Sequence, residues 1–77
     1  MTEQIFSRAQ EAFLVCPGTG GLQRSVSILA RSGIEERSIR RWCRSIAQQY
    51  GCWDYVGLNF EAHVMAVGLR LAQAEED

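Results

Sequence analysis

An all-α domain of four short helices is the fold class this sequence predicts, and three observations predict it. Apolar residues recur at three- and four-residue spacings in four separate stretches, the pattern of helices that bury one face. Those stretches are separated by turn-forming residues at Cys16–Gly21, Ser32–Gly33 and Gly51. The 77 residues are 47% hydrophobic and 22% charged, too apolar for a disordered chain and enough for one small core. The expected organisation is a single helical domain over 1–77, with a Pro/Gly-rich connector at 17–21 and a solvated acidic tail at 74–77.

The first helix is expected over about Thr2 to Val15. Thr2 caps it, and Glu3 places negative charge near its positive end. Ile5, Phe6, Ala9, Ala12, Phe13 and Cys16 collect on one face, while Glu3, Arg8, Gln10 and Glu11 fall mostly on the other. Cys16-Pro17-Gly18-Thr19-Gly20-Gly21 ends the helix, because proline cannot continue the hydrogen-bond ladder and glycine is entropically costly to order. This run reads as a flexible connector. A phosphate-binding Walker loop would close with a lysine, and the chain has none.

A second helix, Leu22 to Arg31, turns Leu22, Val26, Leu29 and Ala30 inward with Ile28 at the edge of the stripe. Gly33 then supplies the residue that accepts a left-handed conformation after a helix end. The third helix opens at Glu35 or Glu36 and closes near Gln49 or Tyr50. Its apolar stripe is Ile39, Trp42, Cys43, Ile46 and Ala47, and Arg37, Arg40, Arg41 and Arg44 occupy the remainder. Glu35 and Glu36 lie at its positive end and can pair with Arg40.

The stretch from Gly51 to Asn59 is aromatic and bounded by glycines; a short strand, a turn and an irregular plug all fit it. Asn59 caps a fourth helix, Phe60 to Gln73, with Glu61 in its first turn. That helix is apolar on most sides, through Phe60, Ala62, Val64, Met65, Ala66, Val67, Leu69 and Leu71, although the run 64–67 also suits a strand. A helix apolar nearly all round must be covered on more than one face. A homodimer is therefore expected, with Trp53, Tyr55, Phe60, Val64, Val67 and Leu71 at the dimer or partner interface.

Charge is unevenly distributed. Between Leu22 and Tyr50 there are six arginines (Arg24, Arg31, Arg37, Arg40, Arg41, Arg44) against Glu35 and Glu36, so the overall net charge of −1 hides a basic middle between acidic flanks. Three cysteines, Cys16, Cys43 and Cys52, form no CxxC pair and, with the lone His63, match no zinc spacing. They read as reduced, largely buried thiols, and no metal or cofactor is expected. His63 stands among Ala62, Val64 and Met65, as a packed or partly exposed imidazole. Catalysis is not expected either, because no positioned acid, base or nucleophile is suggested by spacing. No apolar run is long enough to span a membrane, and the start Met1-Thr2-Glu3-Gln4 lacks the pattern of a secretory signal, so a cytoplasmic location is expected.

One constellation carries a functional argument. Gly33 stands at a tight turn, Ile28, Ile34, Ile39 and Trp42 stand where two helices would pack across it, and Arg37, Ser38, Arg40, Arg41 and Arg44 follow on the second helix. Residues Ser25 to Arg44 thereby resemble a helix-turn-helix DNA-binding motif formed by the second and third helices. The wording Gly33-Ile34-Glu35-Glu36-Arg37-Ser38-Ile39-Arg40-Arg41-Trp42 looks like the recognition helices of small bacterial and phage transcription factors. The resemblance implies sequence-specific binding of duplex DNA by a small transcriptional or replication regulator. Arg37, Arg40, Arg41 and Arg44 would contact phosphates and base edges, Ser38 would act as a neutral donor, and Arg24 would anchor the backbone. The alternative is a phage-type inhibitor or adaptor that acts on a larger protein complex without DNA binding or catalysis, through its aromatic and acidic surface.

Overall fold

A computed structural model of the chain describes residues 2–50 and 57–76, with side chains described for 3–50 and 61–74. The described residues hold four α-helices and no strand: α1 (Thr2–Val15), α2 (Thr19–Arg31), α3 (Glu36–Tyr50) and α4 (Gly57–Glu76). The all-α class expected from the apolar spacing is the observed one. Cys52, Trp53 and Tyr55 lie outside the described residues, as does the side chain of Phe60. Residues 57–59, for which the sequence allows strand, turn or plug, are helical.

α2 is the central helix, packed far more extensively against α1 and α4 than against α3. Leu22, Val26 and Leu29 have no exposed surface, and they meet Ala9 and Phe13 of α1, Val64 and Met65 of α4, and the α3 stripe in one cluster. Ala30, expected inward, is only half-buried, while Ser25 and Ser27 are buried instead. The Ser25 hydroxyl lies 2.7 Å from the Ala9 carbonyl oxygen and 2.9 Å from that of Gly21, so its one proton is shared between them. A small polar side chain thus fits where two helices approach too closely for a larger apolar one.

The expected connector is shorter than its composition suggests. Thr19, Gly20 and Gly21 form the first turn of α2 rather than a flexible link, and the Leu22 amide donates to the Gly18 carbonyl at 3.0 Å. The physical reason is packing: a Cβ at Gly21 would collide with the Cys16 backbone carbonyl, so only glycine lets the start of α2 tuck under the end of α1. Cys16 itself is exposed, against the expectation that the thiols are buried, whereas Cys43 is buried. Cys16 follows the last residue of α1, where the chain turns away from the core.

α2 ends as the sequence predicts. Gly33 has φ of 85°, its amide donates to the Ala30 carbonyl at 3.1 Å, and the Ile34 amide donates to the Leu29 carbonyl at 3.1 Å. These are the two bonds of a Schellman motif, which satisfies carbonyls that a helix end leaves without partners. Ile34 then packs on the core beside Leu29.

α3 buries Ile39, Cys43, Ile46 and Ala47, with Trp42 at the margin. Two ring contacts hold it to α1: Phe6 to Trp42 at 6.3 Å between centroids and Phe13 to Tyr50 at 5.2 Å. Both partners advance together along the chain, so α1 and α3 run in the same direction over two turns.

α4 continues to Glu76, past the expected end at Gln73, so most of the acidic tail is helical. Ala72 is buried and anchors this last part, and alanine and glutamate are good helix formers. The buried face of α4 is Glu61, Val64, Met65, Gly68 and Ala72, a helical spacing that removes the strand alternative for 64–67. Ala62, Ala66 and Leu71 are exposed, so among the residues with described side chains the core covers one face of α4. At Gly68 a Cβ would stand 2.5 Å from the Val26 side chain, so α4 packs closely against α2 at this point. No helix among the described residues is long and apolar enough to cross a membrane.

Candidate functional site

α3 divides its polar residues into three rows because its apolar stripe holds one side against the core. On the α4 side lie Glu36, Arg40 and Arg44, each one turn apart. On the outer side lie Arg37 and Arg41, also one turn apart. On the α1 side lie Ser38 and Ser45, which with Arg41 of the outer row border the Phe6–Trp42 ring pair in a shallow groove.

The α4-side row is an alternating chain of charge. Arg44 grips the Glu61 carboxylate side-on, donating from Nε to Oε1 at 2.8 Å and from Nη2 to Oε2 at 3.2 Å. Arg40 places Nη1 at 3.7 Å from the same Oε2 and donates from Nη2 to Glu36 Oε1 at 3.2 Å. The Glu61 side chain is 5% exposed, whereas those of Arg40 and Arg44 are 41% and 56% exposed. The carboxylate is therefore inside the fold while the guanidiniums that answer it reach solvent. A buried carboxylate without a cation would be strongly unfavourable, so the arginines are what allow Glu61 to sit in the buried stripe of α4. The hydrogen bond and charge of Glu61 in turn push the Arg44 guanidinium pKa further above its ordinary range. Beneath this row, burial and then the nearby Glu61 charge push the Cys43 thiol up to about 12.

Among the described residues the outer row has no such answer. Arg37 and Arg41 are exposed and make no ion pair among the described residues. With Glu36, Arg40 and Arg44 they line a broad, shallow depression open to solvent. The structure thus brings together all four α3 arginines expected from the sequence and splits them into two pairs of different character. Ser38 is half-buried beside Arg41, one row away from this depression. Arg24 is exposed on α2, and a second basic depression is formed by Arg8, Ile28, Arg31 and Ser32.

The residues expected at a partner interface are also divided. Val64 is fully buried in the chain's own core, Val67 is half-buried and Leu71 is 40% exposed. Other exposed large apolar side chains are Leu14, Val15 and Tyr50. His63 is exposed, on the side of α4 away from its buried stripe.

Glu61 is the residue that sequence reasoning missed. Its place in the first turn of the fourth helix is one where an acid suits the helix dipole, and that reading hides a second role. The available signal is periodicity: Glu61 shares the spacing of Val64, Met65, Gly68 and Ala72, and an acid in an apolar stripe requires a cation nearby. No family model, curated protein or solved structure matches this chain.

Proposed function

We propose that the protein binds duplex DNA through α3, as a small regulator of transcription or replication. The observation that carries this reading is the outer row: Arg37 and Arg41, one turn apart, exposed and answered by no carboxylate among the described residues. Arginine is suited to bidentate pairing with phosphate and with guanine. Three further features support a helix-turn-helix arrangement of α2 and α3. The connection between them is only four residues long, at 32–35. Gly33 closes α2 in a Schellman motif, and Ile28, Ile34, Ile39 and Trp42 all pack on the core as that motif requires.

In this reading Arg37 and Arg41 contact phosphates and base edges, Ser38 is a neutral donor beside them, and Arg24 anchors the backbone. Arg40 and Arg44 stand in the same depression with their charge balanced by Glu36 and Glu61. A homodimer would double the few contacts one module can make, with Val67 and Leu71 of α4 the accessible apolar positions for pairing.

The test is fluorescence anisotropy with random-sequence duplex DNA across a salt series. Binding should weaken steeply with salt, with a log–log slope of about −0.9 for each phosphate neutralised, and Arg37→Ala/Arg41→Ala should flatten that slope by about two contacts. Absence of binding at low salt, or binding indifferent to the double variant, would sink the proposal. In that case the Phe6–Trp42 groove edged by Arg41 favours the second reading, a protein-binding inhibitor or adaptor, because aromatic and arginine side chains are enriched at binding hot spots.

A further inference from the structure

We infer that Glu61 sets how much of α3's positive charge is offered to DNA, by withholding Arg40 and Arg44 from the phosphates. The inference rests on the duplex-DNA reading above and adds to it the residue that regulates the surface.

Four arginines on one helix face would otherwise act as one basic patch. The geometry divides them. Arg44 spends two N–H groups on Glu61 at 2.8 and 3.2 Å, and Arg40 lies between Glu61 at 3.7 Å and Glu36 at 3.2 Å. Across Glu36, Arg40, Glu61 and Arg44 the formal charge sums to zero, so the outward positive charge of α3 comes from Arg37 and Arg41.

The two carboxylates do not hold with equal force. Glu36 is 55% exposed and pairs with Arg40 along the helix surface, an arrangement that is weak in water and screened by salt. Glu61 is 5% exposed, and a guanidinium that left it for a phosphate would strand a buried charge. The threshold for recruiting Arg40 and Arg44 therefore lies at Glu61, on a different helix from the arginines. Among the described residues α3 and α4 touch less than α2 and α4 do, and this ion-pair cluster is one tie between them. A movement of α4 away from α3 would release two arginines at once, and DNA that captured them would loosen α4 in return.

Duplex anisotropy across a salt series, on Glu61→Gln, Arg40→Ala and the combination, tests this. The glutamine amide keeps an oxygen that accepts from Arg44 but removes the charge. Glu61→Gln should bind random-sequence duplex roughly tenfold more tightly at low salt, with a slope steeper by about one to two phosphates. Arg40→Ala should cost the otherwise native chain less affinity than Arg41→Ala does, yet remove a large part of the Glu61→Gln gain. Weaker binding by folded Glu61→Gln would overturn the inference in favour of Glu61 as an aiming residue. An unchanged slope would overturn it too, leaving Glu61 as a structural tie. If Glu61→Gln loses its helical circular dichroism, Arg40→Ala alone decides: a loss as large as that of Arg41→Ala overturns the inference.

Retention on immobilised heparin separates this idea from the DNA reading. Later elution of Glu61→Gln from heparin, with no duplex binding by any form, would keep the withholding and overturn its target. Duplex binding by the native chain, with heparin elution and slope both unmoved by Glu61→Gln, would keep the DNA reading and overturn the withholding.

Discussion

The α1–α2 junction and the α3–α4 junction both bury polar groups, by opposite means. Between α1 and α2 the polar groups are neutral and short: one serine hydroxyl, backbone carbonyls, and a glycine against the Cys16 carbonyl. Between α3 and α4 they are charged and long, with a carboxylate inside and guanidiniums half in solvent. Close-packed neutral contacts depend on shape, and shape does not respond to salt. A charged junction responds to any ion that competes for it. The molecule thus joins a fixed scaffold, α1 with α2, to an adjustable surface, α3 with α4.

The largest expected effect breaks the scaffold. Phe13 is fully buried, contacts the Tyr50 ring and belongs to the cluster that joins the helices. Phe13→Ala should lose about 3–5 kcal/mol, comparable with the whole stability of a domain this small. Urea denaturation followed by circular dichroism checks it, and the loss should be nearly the same at low and high salt. A deficit relative to the native chain that closed with added salt would contradict the view of this packing as one of shape.

A smaller effect sharpens the same point with neighbouring glycines. Gly21→Ala should destabilise by roughly 1–3 kcal/mol, because a Cβ there meets the Cys16 carbonyl and a backbone cannot step aside cheaply. A Cβ at Gly20 meets nothing, so Gly20→Ala should stabilise by about 0.4–1 kcal/mol through helix propensity and a less flexible unfolded chain. Equal thermal shifts for the two variants would remove the argument that close packing, rather than flexibility, keeps glycine at position 21.

These contrasts show what was legible in the sequence. The stripes Ile5–Phe13, Leu22–Leu29 and Ile39–Ala47, with their glycine stops, gave the helices because the periodicity of burial is local. The start of α2 was not legible, since Gly20 and Gly21 look alike until the Cys16 carbonyl is placed beside one of them. The same holds for the candidate site. Arg37, Arg40, Arg41 and Arg44 were visible as the polar side of α3, but their division needs the position of Glu61, 17 residues beyond Arg44. A contact across that distance leaves only an indirect trace, an acid at an apolar spacing in α4. Ser25 is the neutral counterpart, a hydroxyl on the buried side of α2 whose acceptor, the Ala9 carbonyl, lies 16 residues away on α1.

On the adjustable side, Arg44→Ala should lower the melting temperature more than Arg37→Ala, because Arg44 answers a buried carboxylate and Arg37 answers none among the described residues. Glu61→Gln should lower it less than Arg44→Ala, since the neutral amide leaves no charge stranded. The reverse order would mean that the cluster is a surface ornament.

The last expected effect lies beneath that cluster, at Cys43, and is confined to alkaline solution. Burial, with the Glu61 charge second, raises the thiol from its ordinary 9.0 to about 12. Between those values the unfolded chain releases the proton and the folded chain keeps it, so stability present below pH 9 should be lost as pH rises towards 12. The chain contains no lysine to add its own titration in that window. Urea midpoints measured across it should decline less steeply in Cys43→Ala than in the native chain, after allowing for the cavity that substitution leaves. Iodoacetamide should modify exposed Cys16 readily and Cys43 only on unfolding. A native chain whose Cys43 reacted as fast as Cys16 would mean that α4 lifts from α3 on the timescale of alkylation, and the adjustable junction would then be open for much of the time.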